Sequence, residues 1–370
     1  MAEFGDRILA VYEFAASDRA AARRFAKQIA VEQTVEMPLS AVPGPVRQAV
    51  VGRIEELEPA GSRRWRAVIS YEPELATELP ALLNLLFGNV SMMSGVRLAD
   101  FELPPALLRT FTGPAFGIEG IRRLSGAHRR PLLCSAIKPV GLSAEQLADL
   151  AYRFARAGVD IVKDDHGLGE QSYAAFADRV ERCSEAVRKA NRETGRNALY
   201  FPNLTGSLAA VEERLEKVRA AGCRGVLLAP MLVGLDWFQT FAARGEVAIL
   251  AHPSFSGAYM QRSHGIAPQA LLGKLFRLLG SDGVIFANAG GRFPVSQASC
   301  DAIALNLRVP WGDLRPAFPV AGGGVDARRA DYWIERYGTD LVLLVSSSLY
   351  ARRDFERAAF ELAERVRRYE

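Results

Sequence analysis

Several side chains that could do acid–base or metal chemistry follow short apolar runs of this 370-residue chain. The end of one run carries Lys163, Asp165 and His166. Carboxylate and imidazole groups bind divalent cations, whereas a protonated lysine offers only donors. CO₂ can convert a neutral lysine amine to a carbamate, whose oxygen suits a hard cation such as Mg²⁺. The three residues therefore predict a divalent metal site, and the competing interpretation is an ion pair between Lys163 and an aspartate.

A second lysine, Lys138, follows the preceding apolar run and stands directly before Pro139. A buried lysine near a cation loses its proton more readily and can act as a base or an acid. We interpret Lys138 as the candidate base, with a solvated loop lysine as the alternative. Asn203, His252 and Asn288 follow other runs and are further candidates for a shared site.

Two clusters of small residues follow the last two apolar runs. They consist of Gly322, Gly323, Gly324, Ser346, Ser347 and Ser348. Small residues let backbone N–H groups approach an anion closely, and barrels most often bind phosphate at this place. The clusters predict a phosphorylated small molecule as substrate, unless the glycines only form a turn.

The elements that must position these residues form a repeating pattern from Pro131 onward. Eight apolar runs alternate with amphipathic helical stretches: Leu132–Ile137, Val159–Val162, Ala198–Phe201, Gly225–Ala229, Val247–Ala251, Gly283–Ala287, Ala317–Val320 and Leu341–Val345. Short strands that are apolar throughout indicate a parallel sheet covered on both faces. Eight such units predict an α/β fold with a closed (β/α)₈ TIM barrel over residues 126–370. A doubly wound open sheet is the competing prediction.

Residues 1–125 have a different, mixed pattern. It predicts a small α+β, ferredoxin-like domain with an antiparallel sheet. Its predicted elements are strands Ile8–Phe14 and Arg64–Tyr71, helices Arg19–Ala30 and Glu78–Leu86, and a strand pair within Val90–Phe101. Thr112–Ala127 is the predicted connector.

The composition excludes several classes of protein. Hydrophobic residues make up 49% and charged residues 24%, which is typical of a chain with a real core rather than of disorder. The net charge is +4 without a basic run, so we expect no nucleic-acid partner. The four cysteines form no CxxC pair, no signal peptide is evident, and no apolar run reaches the ~20 residues of a membrane span. We expect a soluble, cytoplasmic protein that contacts no membrane.

The motifs, taken in order, resemble the RuBisCO large-subunit superfamily over nearly the whole chain. The matching stretches are Lys138-Pro139, Gly158–Asp165, His264-Gly265 and Pro319–Gly324, with Ala30–Thr34 and Phe87–Asn89 resembling the glutamate- and asparagine-bearing N-terminal loops. In that family both loops reach the neighbouring subunit's active site. The resemblance implies a homodimer with shared sites, in which the 1–125 domain completes the partner's site through Glu32 and Asn89.

The resemblance also implies roles for single residues. Lys138 matches the lysine that moves protons at the enediolate, Lys163 the carbamylated lysine and Asp165 a metal carboxylate. His252 matches the catalytic histidine after the fifth strand. The glycine and serine clusters fall where backbone groups bind one phosphate. The residues expected to contact the substrate are Asn203, His264, Asn288 and Arg292.

The departures from the family pattern separate this chain from carboxylases. His166 replaces a metal-binding glutamate, which favours Mn²⁺ or another softer ion relative to Mg²⁺. Pro253 replaces the arginine that would hold a second phosphate, and Val140-Gly141-Leu142 lacks a second lysine. The stretch from Asn288 to Phe293 replaces the flexible lysine loop, and Gly322 replaces a serine. The chain resembles the non-carboxylating RuBisCO-like proteins (form IV).

That branch implies metal-assisted removal of a proton next to a carbonyl of a phosphorylated ketose, through an enediolate. The expected activity is a methionine-salvage isomerase of 5-methylthioribulose 1-phosphate or an enolase of a diketo-methylthiopentyl phosphate. Two alternatives stay open. One is a decarboxylase or hydrolase of a 3-oxo acid sugar phosphate. The other, motivated by His166, is a non-catalytic dimer that binds a phosphometabolite.

Overall fold

The structure is a computed structural model that describes residues 6–370. The chain forms two compact units. The first contains residues up to Phe111 together with Phe255–Leu271, and the second contains Thr112–Ser254 and Leu272–Glu370.

The strands are β1 (Ile8–Ala15), β2 (Arg53–Pro59), β3 (Arg64–Tyr71), β4 (Arg97–Glu102), β5 (Leu132–Ile137), β6 (Ile161–Asp164), β7 (Leu199–Phe201), β8 (Gly225–Leu228), β9 (Ala248–Ala251), β10 (Gly265–Ile266), β11 (Gly283–Ala287), β12 (Phe318–Gly322) and β13 (Val342–Leu344). The helices are α1 (Arg19–Glu32), α2 (Gly44–Ala49), α3 (Leu79–Phe87), α4 (Pro105–Leu108), α5 (Gly117–Ser125), α6 (Ala144–Ala157), α7 (Phe176–Thr194), α8 (Leu208–Ala220), α9 (Pro230–Val233), α10 (Leu235–Ala243), α11 (Phe276–Leu278), α12 (Gln297–Arg308), α13 (Ala330–Tyr337), α14 (Ser347–Tyr350) and α15 (Phe355–Arg367). A π-helical segment, Gln269–Leu275, precedes α11.

The second unit is the predicted barrel. Its eight strands are parallel and follow the order β7-β6-β5-β13-β12-β11-β9-β8. A parallel bridge between Asn203 and Leu227 joins the two ends of this order, and Leu204 N–H donates to the Leu227 carbonyl at 2.8 Å. The sheet is therefore closed, and all eight apolar runs form barrel strands as predicted.

The barrel core consists of apolar side chains from the strands and from α5. Strand residues such as Leu132, Phe201 and Leu250 pack in one buried cluster with Ile118 and Ile121 of α5. Two predictions are corrected here. The stretch Thr112–Ala127 contains a helix rather than only a connector, and the first unit ends at Phe111 rather than at residue 125, because α5 packs into the barrel core.

The first unit is a five-stranded sheet with α1 and α3. Its strand order is β10-β4-β1-β3-β2, in which β1 pairs antiparallel with β3 and β4. The short β10 adds a parallel edge to β4 and brings 255–271 into this unit. The predicted strand pair within Val90–Phe101 is wrong, because Asn89–Met92 forms a 3₁₀ turn and only β4 follows. Strand β2 was not predicted.

The four cysteines are free, buried thiols, as expected. No helix within residues 6–370 has the length and apolarity that crossing a membrane requires.

Candidate active site

The ends of β5 and β6 place the two lysines and the aspartate side by side. Helix α6 begins at the capping box of Ser143 and ends at Gly158, whose left-handed conformation (φ 96°) turns the chain into β6. The register pairs Ala136 with Lys163. Lys138 and Asp165 therefore follow neighbouring strands at the same, carboxyl end of the barrel.

Lys138 and Asp165 form an ion pair at this end. The Lys138 Nζ lies 3.1 Å from the Asp165 Oδ2, and the lysine side chain is 35% exposed while the aspartate is 11% exposed. Burial opposes ionisation of Asp165, but the Gly167 N–H, at 2.9 Å from Oδ1, and the charge of Lys138 hold its pKa below the usual value. Asp165 is therefore a carboxylate at neutral pH.

Lys163 lies deeper in the barrel. Its side chain is buried, and its Nζ donates to the Asp164 carbonyl oxygen at 2.9 Å. Burial, helped by the charge of Lys138, lowers the pKa of Lys163. The neutral amine is the form that can react with CO₂, and Lys138 rather than Lys163 pairs with Asp165.

Two histidines stack above these groups. The rings of His166 and His252 are 4.3 Å apart and nearly parallel, at 13°. Burial lowers the pKa of His252 to about 2, and burial also lowers the pKa of His166. Both imidazoles are therefore neutral, the form that binds metal ions. The His166 Nδ1 lies 3.5 Å from the Asp165 Oδ1.

Asp164 is a supporting residue that the sequence prediction missed. It is fully buried and accepts hydrogen bonds from the Arg179 Nε (3.1 Å), the Tyr200 hydroxyl (2.6 Å) and the Asn203 N–H (2.9 Å). Side chains alternate along a strand, so Asp164 points away from the face shared by Lys163 and Asp165. That alternation in the Lys-Asp-Asp motif was a visible signal.

Asn203 holds the loop that follows β6. Its Nδ2 donates to the His166 carbonyl (3.0 Å) and the Leu168 carbonyl (2.8 Å), and its Oδ1 accepts from the Thr205 N–H at 3.2 Å. These bonds give Asn203 a structural role beneath His166. Its contact with a substrate stays a prediction.

The glycine and serine clusters follow the adjacent strands β12 and β13. Gly324 needs a left-handed conformation (φ 65°), and a Cβ there would lie 2.6 Å from the Ala289 carbonyl oxygen. The Ser348 hydroxyl donates to the Val325 carbonyl at 3.3 Å, while Ser347 is exposed. The Ser346 hydroxyl accepts from the Ala136 N–H at 2.9 Å. The two clusters are thus neighbours at the carboxyl end of the barrel.

The loop after β11 carries two further predicted site residues. Asn288 is fully buried, and its Oδ1 accepts from the Tyr337 hydroxyl at 2.8 Å. Arg292 is exposed, with its guanidinium 4.9 Å from the Phe293 ring centre. The charge of Arg292 also contributes to the low pKa of His166.

Three predicted site residues belong to the other unit. Within it, the Asn89 Nδ2 donates to the Glu32 Oε1 at 3.2 Å, and the His264 ring packs 5.8 Å from the Phe87 ring. The structure therefore brings Glu32 and Asn89 together within this unit, and their place in a partner's site stays a prediction.

The residues after β6 fit the implied cation. No three His, Cys, Asp or Glu side chains converge as a ready metal site within residues 6–370. Asp165 and His166 supply one carboxylate and one neutral imidazole side by side, and the buried amine of Lys163 supplies oxygen only as a carbamate. This oxygen-rich donor set with one nitrogen suits Mg²⁺ or Mn²⁺.

The chain is similar to known proteins over nearly its full length. Residues 117–350 match the family model described as the ribulose bisphosphate carboxylase large chain, catalytic domain. The chain is 45% identical to ribulose bisphosphate carboxylase-like protein 1 of Rhodopseudomonas palustris, with 94% of each chain covered. The chain therefore belongs to the RuBisCO large-chain family, and within it to the non-carboxylating, RuBisCO-like branch.

Two further relatives carry the names of enzymes. The chain is 41% identical to the 5-methylthioribulose-1-phosphate isomerase of Rhodospirillum rubrum, over 96% of this chain and 95% of that protein. It is 34% identical to the 2,3-diketo-5-methylthiopentyl-1-phosphate enolase of Geobacillus kaustophilus, over 80% and 73%.

Solved structures share the fold. The RuBisCO-like protein of Rhodopseudomonas palustris matches with a TM-score of 0.90 and 39% identity, covering 98% of both chains. A dimeric archaeal RuBisCO from Hyperthermus butylicus matches with a TM-score of 0.88 and 25% identity, covering 98% of this chain and 91% of that one.

Proposed function

We propose that this protein is an isomerase of a phosphorylated ketose of the 5-methylthioribulose 1-phosphate type. It removes a proton from the carbon next to the carbonyl and, through an enediolate, returns it to the carbonyl carbon, so that the carbonyl moves by one position. The observation that carries the proposal is the ion pair of Lys138 with Asp165, next to the buried amine of Lys163 and two neutral histidines. The 41% identity to an isomerase over nearly the whole chain supports this substrate before the enolase substrate.

Lys138 is the proposed base. Its partly exposed Nζ reaches the barrel mouth, and the 3.1 Å contact with Asp165 fixes the position of the amine. In its neutral form, the Lys138 amine removes a proton from the carbon next to the substrate carbonyl. It then returns the proton to the former carbonyl carbon. The neutral His252, anchored through its Nδ1 by the Ser254 hydroxyl at 2.8 Å, offers its other ring nitrogen to a substrate oxygen.

Lys163 as a carbamate, Asp165 and His166 are the residues that would hold a divalent cation. The bound cation would stabilise the negative charge of the enediolate oxygens. His166 in place of a carboxylate removes one negative charge from the donor set, so Mn²⁺ or a softer ion competes with Mg²⁺.

The substrate carries one phosphate in this proposal. Backbone N–H groups of Gly323, Gly324, Ser347 and Ser348 would hold it, with Gly322 and Ser346 shaping the neighbouring turns. Asn203, His264, Asn288 and Arg292 are proposed contacts of the remaining substrate atoms. The departure at Pro253, where an arginine is absent, supports a single phosphate.

The proposed assembly is a cytoplasmic homodimer, in which Glu32 and Asn89 complete the partner's site. Their hydrogen bond and the dimeric solved relative support this arrangement.

Deuterium exchange tests the proposal. The wild-type protein with Mg²⁺ and bicarbonate should incorporate solvent deuterium into 5-methylthioribulose 1-phosphate. Lys138→Ala should lower the rate by about 10²- to 10⁴-fold, the usual contribution of a general base. The exposed Lys217 of α8 provides a matched control, Lys217→Ala. Equal exchange by wild type and Lys138→Ala would reject Lys138 as the base.

The position of His166 also favours a second candidate, a dimer that binds a phosphometabolite without catalysis. Metal analysis of the purified protein, with and without bicarbonate, separates the two. Tight sugar-phosphate binding with no bound ion under either condition would favour the binding protein over the isomerase.

A further inference from the structure

The segment that carries Ser346, Ser347 and Ser348 also holds the strand that leads to Lys138. The Tyr350 hydroxyl donates to the Ala136 carbonyl oxygen at 3.1 Å and accepts from the Lys138 N–H at 3.1 Å. The Ser346 hydroxyl accepts from the N–H of the same Ala136. The side chains of Ser346 and Tyr350, which belong to one short segment, therefore both form hydrogen bonds with the end of β5.

The Tyr350 side chain packs against two aromatic rings. Its ring lies edge-on to Phe154, with ring centres 5.5 Å apart, and 5.6 Å from the Phe355 ring. Its backbone N–H donates to the Ser346 carbonyl at 3.0 Å, and Tyr350 belongs to the same helical turn as Ser347. Burial raises the pKa of Tyr350, which keeps the hydroxyl protonated and able to donate and accept at once.

We propose that Tyr350 is a positioning residue that couples the phosphoryl group of the substrate to the placement of Lys138. This inference rests on the proposed function. A phosphoryl group held at Ser347 and Ser348 orders the turn, and the Tyr350 hydroxyl passes this order to the Lys138 backbone. Binding energy from a part of the substrate that does not react thereby increases the rate at the reacting carbon.

Tyr350→Phe is the direct test, because it keeps the ring packing and removes only the hydroxyl. We expect kcat for the ketose phosphate to fall about tenfold with KM within about twofold, since the lost contact aligns the base rather than binding the substrate. Tyr152→Phe is the matched control, because the Tyr152 hydroxyl donates to Glu193 on the helix surface. Unchanged kcat in Tyr350→Phe would overturn the proposal.

A substrate cut in two parts sharpens the test. Phosphite should accelerate deuterium exchange into 5-methylthioribulose, which lacks the phosphate, in the wild-type protein. Tyr350→Phe should lose about tenfold of this acceleration if the hydroxyl carries the coupling. Equal acceleration in both proteins would contradict the coupling and leave the isomerase proposal intact. Ser346→Ala, which removes the bond to the Ala136 N–H, should act in the same direction.

Chemical labelling gives a readout that does not depend on turnover. Acetylation of the partly exposed Lys138 amine is measured by mass spectrometry with and without inorganic phosphate. Inorganic phosphate should change the rate of Lys138 acetylation about fivefold in the wild-type protein. In Tyr350→Phe it should leave this rate unchanged. If the wild-type protein catalyses no deuterium exchange into the ketose phosphate, the isomerase proposal fails. The acetylation of Lys138 then tests the role of Tyr350 by itself. An equal change in both proteins would then overturn the role of Tyr350.

Discussion

Two aspartates at opposite ends of β6 have opposite surroundings. Asp160, one residue before the strand, accepts hydrogen bonds from two Arg130 nitrogens at 2.7 and 2.8 Å and from the Leu133 N–H at 2.8 Å. Both partners belong to the framework of the barrel. Asp165, one residue after the strand, shares its oxygens with the partly exposed amine of Lys138 and with the Gly167 N–H.

A second aspartate at the amino end of a barrel strand has surroundings similar to those of Asp160. Asp282, one residue before β11, accepts from the N–H groups of Phe116 (2.7 Å), Gly117 (2.7 Å) and Ile249 (2.8 Å). Both oxygens of the Asp282 carboxylate thus accept hydrogen bonds from the backbone. Asp160 and Asp282 at the amino end are therefore bound by the framework, whereas Asp165 at the carboxyl end pairs with the partly exposed amine of Lys138. Substitutions at the two ends should change different quantities.

Replacing Lys163 with methionine should have the largest effect on activity. Methionine matches the length of the side chain but cannot form a carbamate, so we expect at least about a hundredfold loss of deuterium exchange. The ¹³C carbamate signal from labelled bicarbonate should disappear. The melting temperature should not fall, because the change removes a buried amine and leaves an apolar chain in its place.

The control for this experiment is Lys217→Met on the exposed face of α8. Lys163→Met protein that unfolds at a clearly lower temperature would contradict the division between the ends. A retained carbamate signal would show that another lysine reacts with CO₂.

Asp282→Asn should change the pH dependence of stability. Burial raises the pKa of the Asp282 carboxyl to about 6, against the three backbone hydrogen bonds. The folded protein then keeps this proton between about pH 4 and pH 6 while the unfolded chain has lost it, so the contribution of Asp282 to the free energy of unfolding decreases as pH rises. The decrease is about 3 kcal/mol in total and ends near pH 6.

Urea unfolding from pH 4 to pH 7 measures this term as the difference between wild type and Asp282→Asn. The free energy of unfolding of wild type minus that of Asp282→Asn should fall as the pH rises across this interval. The deuterium-exchange activity per folded molecule should be the same in both proteins. Asp236→Asn, on the exposed surface of α10, should run parallel to wild type. A constant difference between wild type and Asp282→Asn would show that the backbone donors fully offset the burial.

The sequence predicted the barrel well because its strands are buried on both faces. Each of the eight runs is short and apolar throughout, which is the pattern that a parallel sheet under helices requires. Strand β2 was missed because charged residues interrupt the apolar residues of its sequence, RIEELEP. The strand also lies at the edge of the sheet. Helix α5 was missed because Gly117 and Gly120 lower helix propensity, and its burial depends on packing that no local pattern shows.

The site was predictable where a residue acts through its type and its position after a strand. Lys138, Lys163, Asp165 and His166 meet these conditions, and the structure brings them together. Tyr350 was not predictable in this way, because its hydroxyl reaches Lys138 through a packing arrangement between distant segments. The addition of 255–271 to the first unit depends on the two-residue pairing of β10 with β4, which is also invisible in the sequence.

The smallest effect is expected where the backbone rather than a side chain binds the ligand. Ser347→Ala should change KM for the ketose phosphate by less than about twofold, because the proposed contact is the backbone N–H, which alanine keeps. Gly324→Ala should raise KM by about tenfold, since its φ of 65° is strained for alanine and the new Cβ would lie 2.6 Å from the Ala289 oxygen. Steady-state kinetics with the same substrate compare the two variants. A large effect of Ser347→Ala on KM would mean that the serine hydroxyl, rather than the backbone N–H, binds the phosphate. The difference between the carboxyl and amino ends of the barrel would then lie in their side chains alone.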